Sequence, residues 1–252
     1  MLHTFKEMTG YAIHAAGDDV GKVKDYYFDD SKWVIRYLIV ETGSWLESRK
    51  VLLSPMAVTR INHEDKTFSV SINSEQVKHS PSIDTQKPVS RQYEIEYIDY
   101  YGYPAYWEGN ALWGVYANPM IPANADAPVI LEKKNVSSPT QYDHHLRSCE
   151  VVIGNSIAAL DGDIGHLEEM LIDEDTWAIR YLIINTSNWG LGHQVLIAPQ
   201  WIESIRWPEA KIHVDVTRQT IKDAPVFNPA EGLNPQQEKA LFSHYQRKGY
   251  WE

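Results

Sequence analysis

Apolar and polar residues fall into short stretches, each closed by a cluster of turn residues. Val20 to Phe28 and Trp33 to Glu41 are rich in β-branched and aromatic residues and flank the polar Asp29-Asp30-Ser31-Lys32, a pattern that predicts a hairpin. Lys50 to Leu53 predicts a short strand that stops at Ser54-Pro55. Ala57 to Ile61 and Thr67 to Ile72 predict a further pair around Asn62-His63-Glu64-Asp65-Lys66. Glu75 to Lys78, after Asn73-Ser74, reads as a helical turn. Ser90 to Tyr101 reads as a helix capped by Ser90, with Tyr93, Tyr97 and Tyr101 on one face because each stands four residues from the next. Short strands at close spacing with turns between them favour a small barrel or sandwich.

The whole pattern returns 144 positions later. Gly10 aligns with Gly154, and the match runs without a gap to Pro81 and Pro225 through Asp19/Asp163, Gly21/Gly165, Asp29/Asp173, Trp33/Trp177, Arg36/Arg180 and Tyr37/Tyr181. The same offset pairs Glu94 with Glu238, Tyr101 with Tyr245, and Tyr106-Trp107 with Tyr250-Trp251. Internal repetition of this kind sets the organisation. Residues 1–107 form one module with an aromatic tail, residues 145–252 form its copy, and residues 108–144 are a linker that holds four of the thirteen prolines. Trp113, Tyr116 and Ile121 imply a linker that packs on the modules.

If Phe28 faces Trp33 across the hairpin, Asp25 faces Arg36, and the second copy likewise sets Glu169 against Arg180. Both pairs then read as cross-strand ion pairs, each worth roughly 0.2–1 kcal/mol when exposed. The strand Trp33 to Glu41 is apolar on both faces, with Ile35, Tyr37 and Ile39 on one and Val34, Leu38 and Val40 on the other. Its second face needs cover from the tail helix, the sister module or another chain.

At 252 residues the chain has room for two modules of this size, each with a modest core. No stretch approaches the roughly 20 apolar residues that span a bilayer, and the N-terminal MLHTFKEMTG lacks the features of a secretory signal. The single Cys149 excludes an intramolecular disulfide, so a cytoplasmic protein is expected. The net charges of the two modules and the linker are −3, −6 and −2, and no basic cluster occurs, which argues against direct DNA or RNA binding.

Gly10-x-x-Ile13, then Asp19-Val20-Gly21-Lys22-Val23-x-Asp25-x-x-Phe28-Asp29, then Ile35-Arg36-Tyr37-Leu38-Ile39-Val40, resembles the PRC-barrel family. That family is named after the photosynthetic reaction centre, whose H subunit carries the domain. The second copy follows at Gly154, Ile157, Asp163-Ile164-Gly165, Asp173 and Arg180-Tyr181-Leu182-Ile183. The resemblance implies a mainly β fold with two small PRC-like barrels, each followed by a short helix and tail. It also implies docking modules without catalytic residues.

The candidate chemistry is sparse. Asp143-His144-His145 is the one dense histidine cluster, and no HExxH or His/Cys spacing defines a metal site. The acids from Asp161 to Asp175 read as a solvated edge that discourages strand aggregation. Phosphate-binding glycine loops and a nucleophile elbow are missing. No metal, cofactor or catalytic group is expected. The expected function is non-enzymatic protein binding or assembly, with a homo-oligomer as one form of it. The anchors would be Tyr106, Trp107, Tyr250 and Trp251, together with Trp45 and Trp189, because Tyr and Trp dominate interface hot spots. The alternative is a small-molecule or ion binding protein using a cleft between the two modules, lined by Trp45, Trp189, Arg49 and His193.

Overall fold

The computed structural model describes residues 1–43, 48–81, 83–84, 89–121, 145–186 and 192–251. The chain opens with β1 (Leu2–Thr4) and α1 (Phe5–Met8). Six strands follow: β2 (Ala12–Ala15), β3 (Asp18–Asp29), β4 (Val34–Thr42), β5 (Arg49–Leu53), β6 (Val58–Asn62) and β7 (Thr67–Val70), then α2 (Ser74–His79) and α3 (Arg91–Tyr101). The second half repeats the sequence of elements with β8 (Leu146–Ser148), α4 (Cys149–Val152), β9 (Ser156–Ala159), β10 (Gly162–Asp173), β11 (Ile179–Asn185), β12 (Gln194–Ile197), β13 (Ile202–Arg206), β14 (Lys211–Val214), α5 (Arg218–Lys222) and α6 (Pro235–His244). The protein is mainly β, with two seven-stranded sheets of one topology. One runs β5-β4-β3-β2-β7-β6 with β8 on β3, and the other runs β12-β11-β10-β9-β14-β13 with β1 on β10.

These side strands come from the opposite repeat. Leu2–Thr4 and Leu146–Ser148 are equivalent at the offset of 144. Yet His3 pairs with Ile172 and Arg147 pairs with Phe28. The chain accordingly divides into a first unit of Met8–Cys149 with Asp175–Ala178, and a second unit of Met1–Glu7, Glu150–Glu174 and Ile179–Glu252. The division at 1–107, 108–144 and 145–252 is corrected at each of these points. A strand's partner is fixed by backbone hydrogen bonds, which a reading of side-chain pattern does not register.

Hairpin register also departs from expectation. Ile39 stands opposite Asp25, and Ile183 stands opposite Glu169. The ladder slips between Tyr27 and Phe28, where the opposing residues are Tyr37 and Ile35, so Arg36 is the extra residue of a bulge. The same slip between Leu171 and Ile172, facing Tyr181 and Ile179, leaves Arg180 at the equivalent place. A bulge re-aims the side chain it carries. Arg36 therefore bonds Asp29 at 3.1 Å and Arg180 bonds Asp173 at 2.9 Å. The turn supplies the second cause. Trp33 and Trp177 have φ of 55° and 58°, a left-handed conformation that bulky residues seldom adopt. Each closes the turn instead of opening the strand. Ring burial offsets the backbone cost, with Trp33 stacked on Phe28 at 4.9 Å and Trp177 packed against Tyr26 and Phe68 at 6.5 and 6.0 Å.

Gly21 and Gly165 let β3 and β10 approach their neighbours closely, since a Cβ on either would collide with the backbone oxygen of Glu41 or Asn185. Helix α3 begins as expected, with the Ser90 hydroxyl accepting from the Tyr93 N–H at 3.2 Å, and ends on Gly102 at φ 70°. At 11 residues it is too short to be stable alone, so packing holds it. Tyr97 meets Tyr37 edge to face at 5.1 Å, and its phenol oxygen accepts from the Ser54 N–H at 2.8 Å. Burial of that ring contributes on the order of 2 kcal/mol. The tail helix is thus a cover for the second apolar face of β4. Helix α6 does the same for β11, where Phe242 meets Tyr181 at 6.3 Å. Among the described residues no helix is long and apolar enough to cross a membrane.

Candidate functional site

Each unit fixes its tail through one carboxylate. In the first, the phenols of Tyr37 on β4 and Tyr106 in the tail both donate to Glu94 on α3, at 3.0 and 2.6 Å. Arg91 and His145 complete the cluster, with nitrogens 3.1 and 3.0 Å from the other Glu94 oxygen. In the second, Tyr181 and Tyr250 donate to Glu238 at 2.7 and 3.0 Å. All three positions correspond at the offset of 144. Burial, and then the neighbouring carboxylate, raise the phenols of Tyr37 and Tyr106 well above the usual tyrosine range. Tyr250 is pushed up to about 12 by the same causes. These hydroxyls are therefore fixed donors at neutral pH.

The two arginines stack on the tails. Arg36 lies 4.0 Å from the centre of the Tyr106 ring and Arg180 lies 4.2 Å from that of Tyr250. Burial alone would raise the Asp29 carboxyl, but Arg36 beside it and hydrogen bonds from Ser31 hold it below the usual range.

From here the copies diverge. In the first unit residues 109–116 lie over the arginine. Leu112 C=O accepts from Arg36 at 2.7 Å, the Trp113 ring sits 4.9 Å from its guanidinium, and the Trp113 indole N–H donates to Thr176 C=O at 2.8 Å. The Arg36 side chain is 0% exposed as a result and Arg180 is 17% exposed. Tyr106 is 3% exposed, whereas Tyr250 and Trp251 are each 43% exposed.

Of the expected anchors, Tyr106 is thus a buried structural residue, and Trp107 is half-buried with Arg91 stacked 4.0 Å above it. The burial of Tyr106 follows from the linker residues packed against it, with Trp113 meeting its ring at 6.4 Å. Tyr250 and Trp251 remain on the surface, with Trp251 seated on Phe242 at 4.9 Å. Trp45 and Trp189 lie outside the described residues, as do Asp143 and His144. Arg49 donates to the carbonyls of Lys78 and Ser80 and so caps the end of α2. The His193 backbone pairs with Thr186.

The acids assigned to the arginines have another use. Asp25 accepts from the Ser148 hydroxyl at 2.5 Å, and Glu169 accepts from the Lys6 N–H at 3.2 Å. Each acid grips the segment that the other repeat lends. Burial raises the Glu169 carboxyl, with the N–H groups of Met170 and Lys6 partly offsetting it. Glu94 and Glu238 were missing from the expected site, although their recurrence in two otherwise different helices was the available signal.

None of the curated proteins compared matches the chain. A family model, that of the PRC-barrel domain, does match residues 11–77, which hold β2 to β7 and the first part of α2.

Proposed function

We propose that this protein is a non-enzymatic binding or assembly module, and that its docking surface is the tail of the second unit. One observation carries the reading: Tyr250 and Trp251 are each 43% exposed where the equivalent Tyr106 is sealed. Large rings seated against a helix, as Trp251 is on Phe242 and Tyr250 on Glu238, make contact area at little entropic cost, which favours their use as anchors. The PRC-barrel match supports the assembly role. The phenols near both carboxylates are locked as donors, which supports a structural over a catalytic use of the cluster. We place the protein in the cytoplasm, on the strength of its single cysteine.

Affinity capture from the native host, with the wild-type chain beside the double variant Tyr250→Ala and Trp251→Ala, tests the reading. A partner retained by the wild type and lost from the variant is expected. Partners indifferent to the substitutions would overturn it.

A further inference from the structure

The two repeats differ where the long hairpin begins. In the second unit the Arg218 guanidinium lies over Gly162, with Nη1 and Cζ 3.3 and 3.4 Å from the point where a Cβ on that glycine would stand. The Arg218 backbone N–H donates to Asp161 at 2.7 Å, and its Nε stands 3.5 Å from the same carboxylate. At the offset of 144, Asp161, Gly162 and Arg218 become Gly17, Asp18 and Ser74. The first unit thus keeps an acid here, moved by one position, and gives up the cation. Asp18 and Ser74 instead line a cavity of about 440 Å³, together with Thr42, Arg49, Val77 and Lys78. Both cations on its wall are engaged. Lys78 bonds Glu75 at 2.7 Å and attracts Asp18 only at longer range, and Arg49 donates to the carbonyls of Lys78 and Ser80. Asp18 accepts from the Ser74 hydroxyl at 3.3 Å, a long bond that leaves the carboxylate most of its capacity as an acceptor.

We infer that this cavity of the first unit binds a small molecule through a guanidinium group, which takes the place that Arg218 fills from within the chain in the second. A planar guanidinium presents paired N–H donors to a carboxylate, and Asp18 is the acceptor that matches them. The Ser74 and Thr42 hydroxyls donate to Asp18 and to the Arg49 carbonyl, so their own lone pairs remain to accept from the remaining guanidinium N–H groups. Val77 supplies apolar surface for the stem that carries the group. The volume falls within the range of about 300–1,000 Å³ usual for small-molecule sites. The cavity shares no residue with the tail surface proposed above, so each stands independently of the other.

The probe is agmatine, and the control is putrescine, which replaces the guanidinium of agmatine by an ammonium. Each is titrated into the full chain by isothermal titration calorimetry. Saturable binding of agmatine is expected, with putrescine at least about tenfold weaker. Asp18→Asn should weaken agmatine at least about tenfold by removing the charged acceptor. Ser74→Arg, which installs the cation of the second repeat, should abolish binding by filling the cavity from within. Thermal melting confirms that each variant is folded, and the comparison of agmatine with putrescine uses the wild type and so needs neither variant. Absence of saturable agmatine binding overturns the inference, as does putrescine bound equally well or agmatine binding indifferent to both substitutions. Inorganic phosphate bound in place of agmatine also overturns it, by assigning the cavity to Arg49 and Lys78. A blocked glycyl-arginyl-glycine peptide bound more tightly than agmatine overturns the small-molecule assignment, because the guanidinium would then come from a polypeptide.

Discussion

Ser148 donates its hydroxyl to Asp25 at 2.5 Å across 123 positions of sequence, and thereby ties the first strand of the second repeat into the sheet of the first. A hydrogen bond to a charged group contributes roughly 1.5–3 kcal/mol. Ser148→Ala should lower the stability of the first unit by about that amount. Urea unfolding followed through a reporter in each unit checks it, and an equal loss in both units would contradict the assignment.

Deletion of residues 1–7 should loosen the second unit although those residues begin the first repeat. Strand β1 pairs Leu2 with Asp173 and Thr4 with Leu171, and the Met1 carbonyl accepts from Glu174 N–H at 3.0 Å. Hydrogen exchange should quicken at the β10 amides from Leu171 to Glu174, while those of β3 and β4 stay protected.

The ion pair of Arg36 and Asp29 is buried, at 0% and 7% exposure, so removing one partner strands the other. Asp29→Asn should cost about 3–5 kcal/mol. Asp173→Asn should cost about 1 kcal/mol, because Arg180 keeps access to water. The pH dependence has a definite sign. Asp29 titrates below its ordinary value when folded, so its contribution is complete above the ordinary carboxylate range near pH 4 and is lost as the pH falls through the folded value. Acid unfolding of the wild type and of Asp29→Asn should converge at low pH.

Gly165→Ala should destabilise the second unit by at least about 2 kcal/mol, because the added methyl meets the Asn185 backbone, which cannot move without breaking the β10 to β11 ladder. Thermal melting is the measure. Gly17→Ala, where the added Cβ meets nothing, should cost less, its penalty confined to the left-handed φ of 97°.

Much of this fold was legible in the residues. The hairpin strands, the Ser90 cap and the tail helix follow from side-chain period and turn chemistry, both local properties. The offset of 144 also marked Arg36/Arg180, Glu94/Glu238 and Tyr106/Tyr250, which are the core of both clusters. What the residues could not show were non-local choices. The bulge at Arg36 and the left-handed Trp33 change which acid the arginine reaches, and neither alters the apolar pattern. Trading β1 for β8 is equally invisible, since the two strands are equivalent in position along their repeats and the apolar pattern does not name the sheet that each joins. The burial of Tyr106 depended on Trp113, whose ring packs against it from outside the repeated pattern.

The loan of strands makes the two halves of this polypeptide mutually incomplete. A single repeat synthesised alone carries a strand with no place in its own sheet and lacks the strand that its sheet requires. Its route to a full set of seven is to trade with a second copy of itself, so an isolated repeat should be an obligate dimer. Cleavage of the backbone between the repeats likewise leaves two fragments that each hold a piece of the other's fold, and they should migrate together until denatured. The peptide connection then serves to keep two complementary halves at a fixed ratio, and the exchanged strands do the joining.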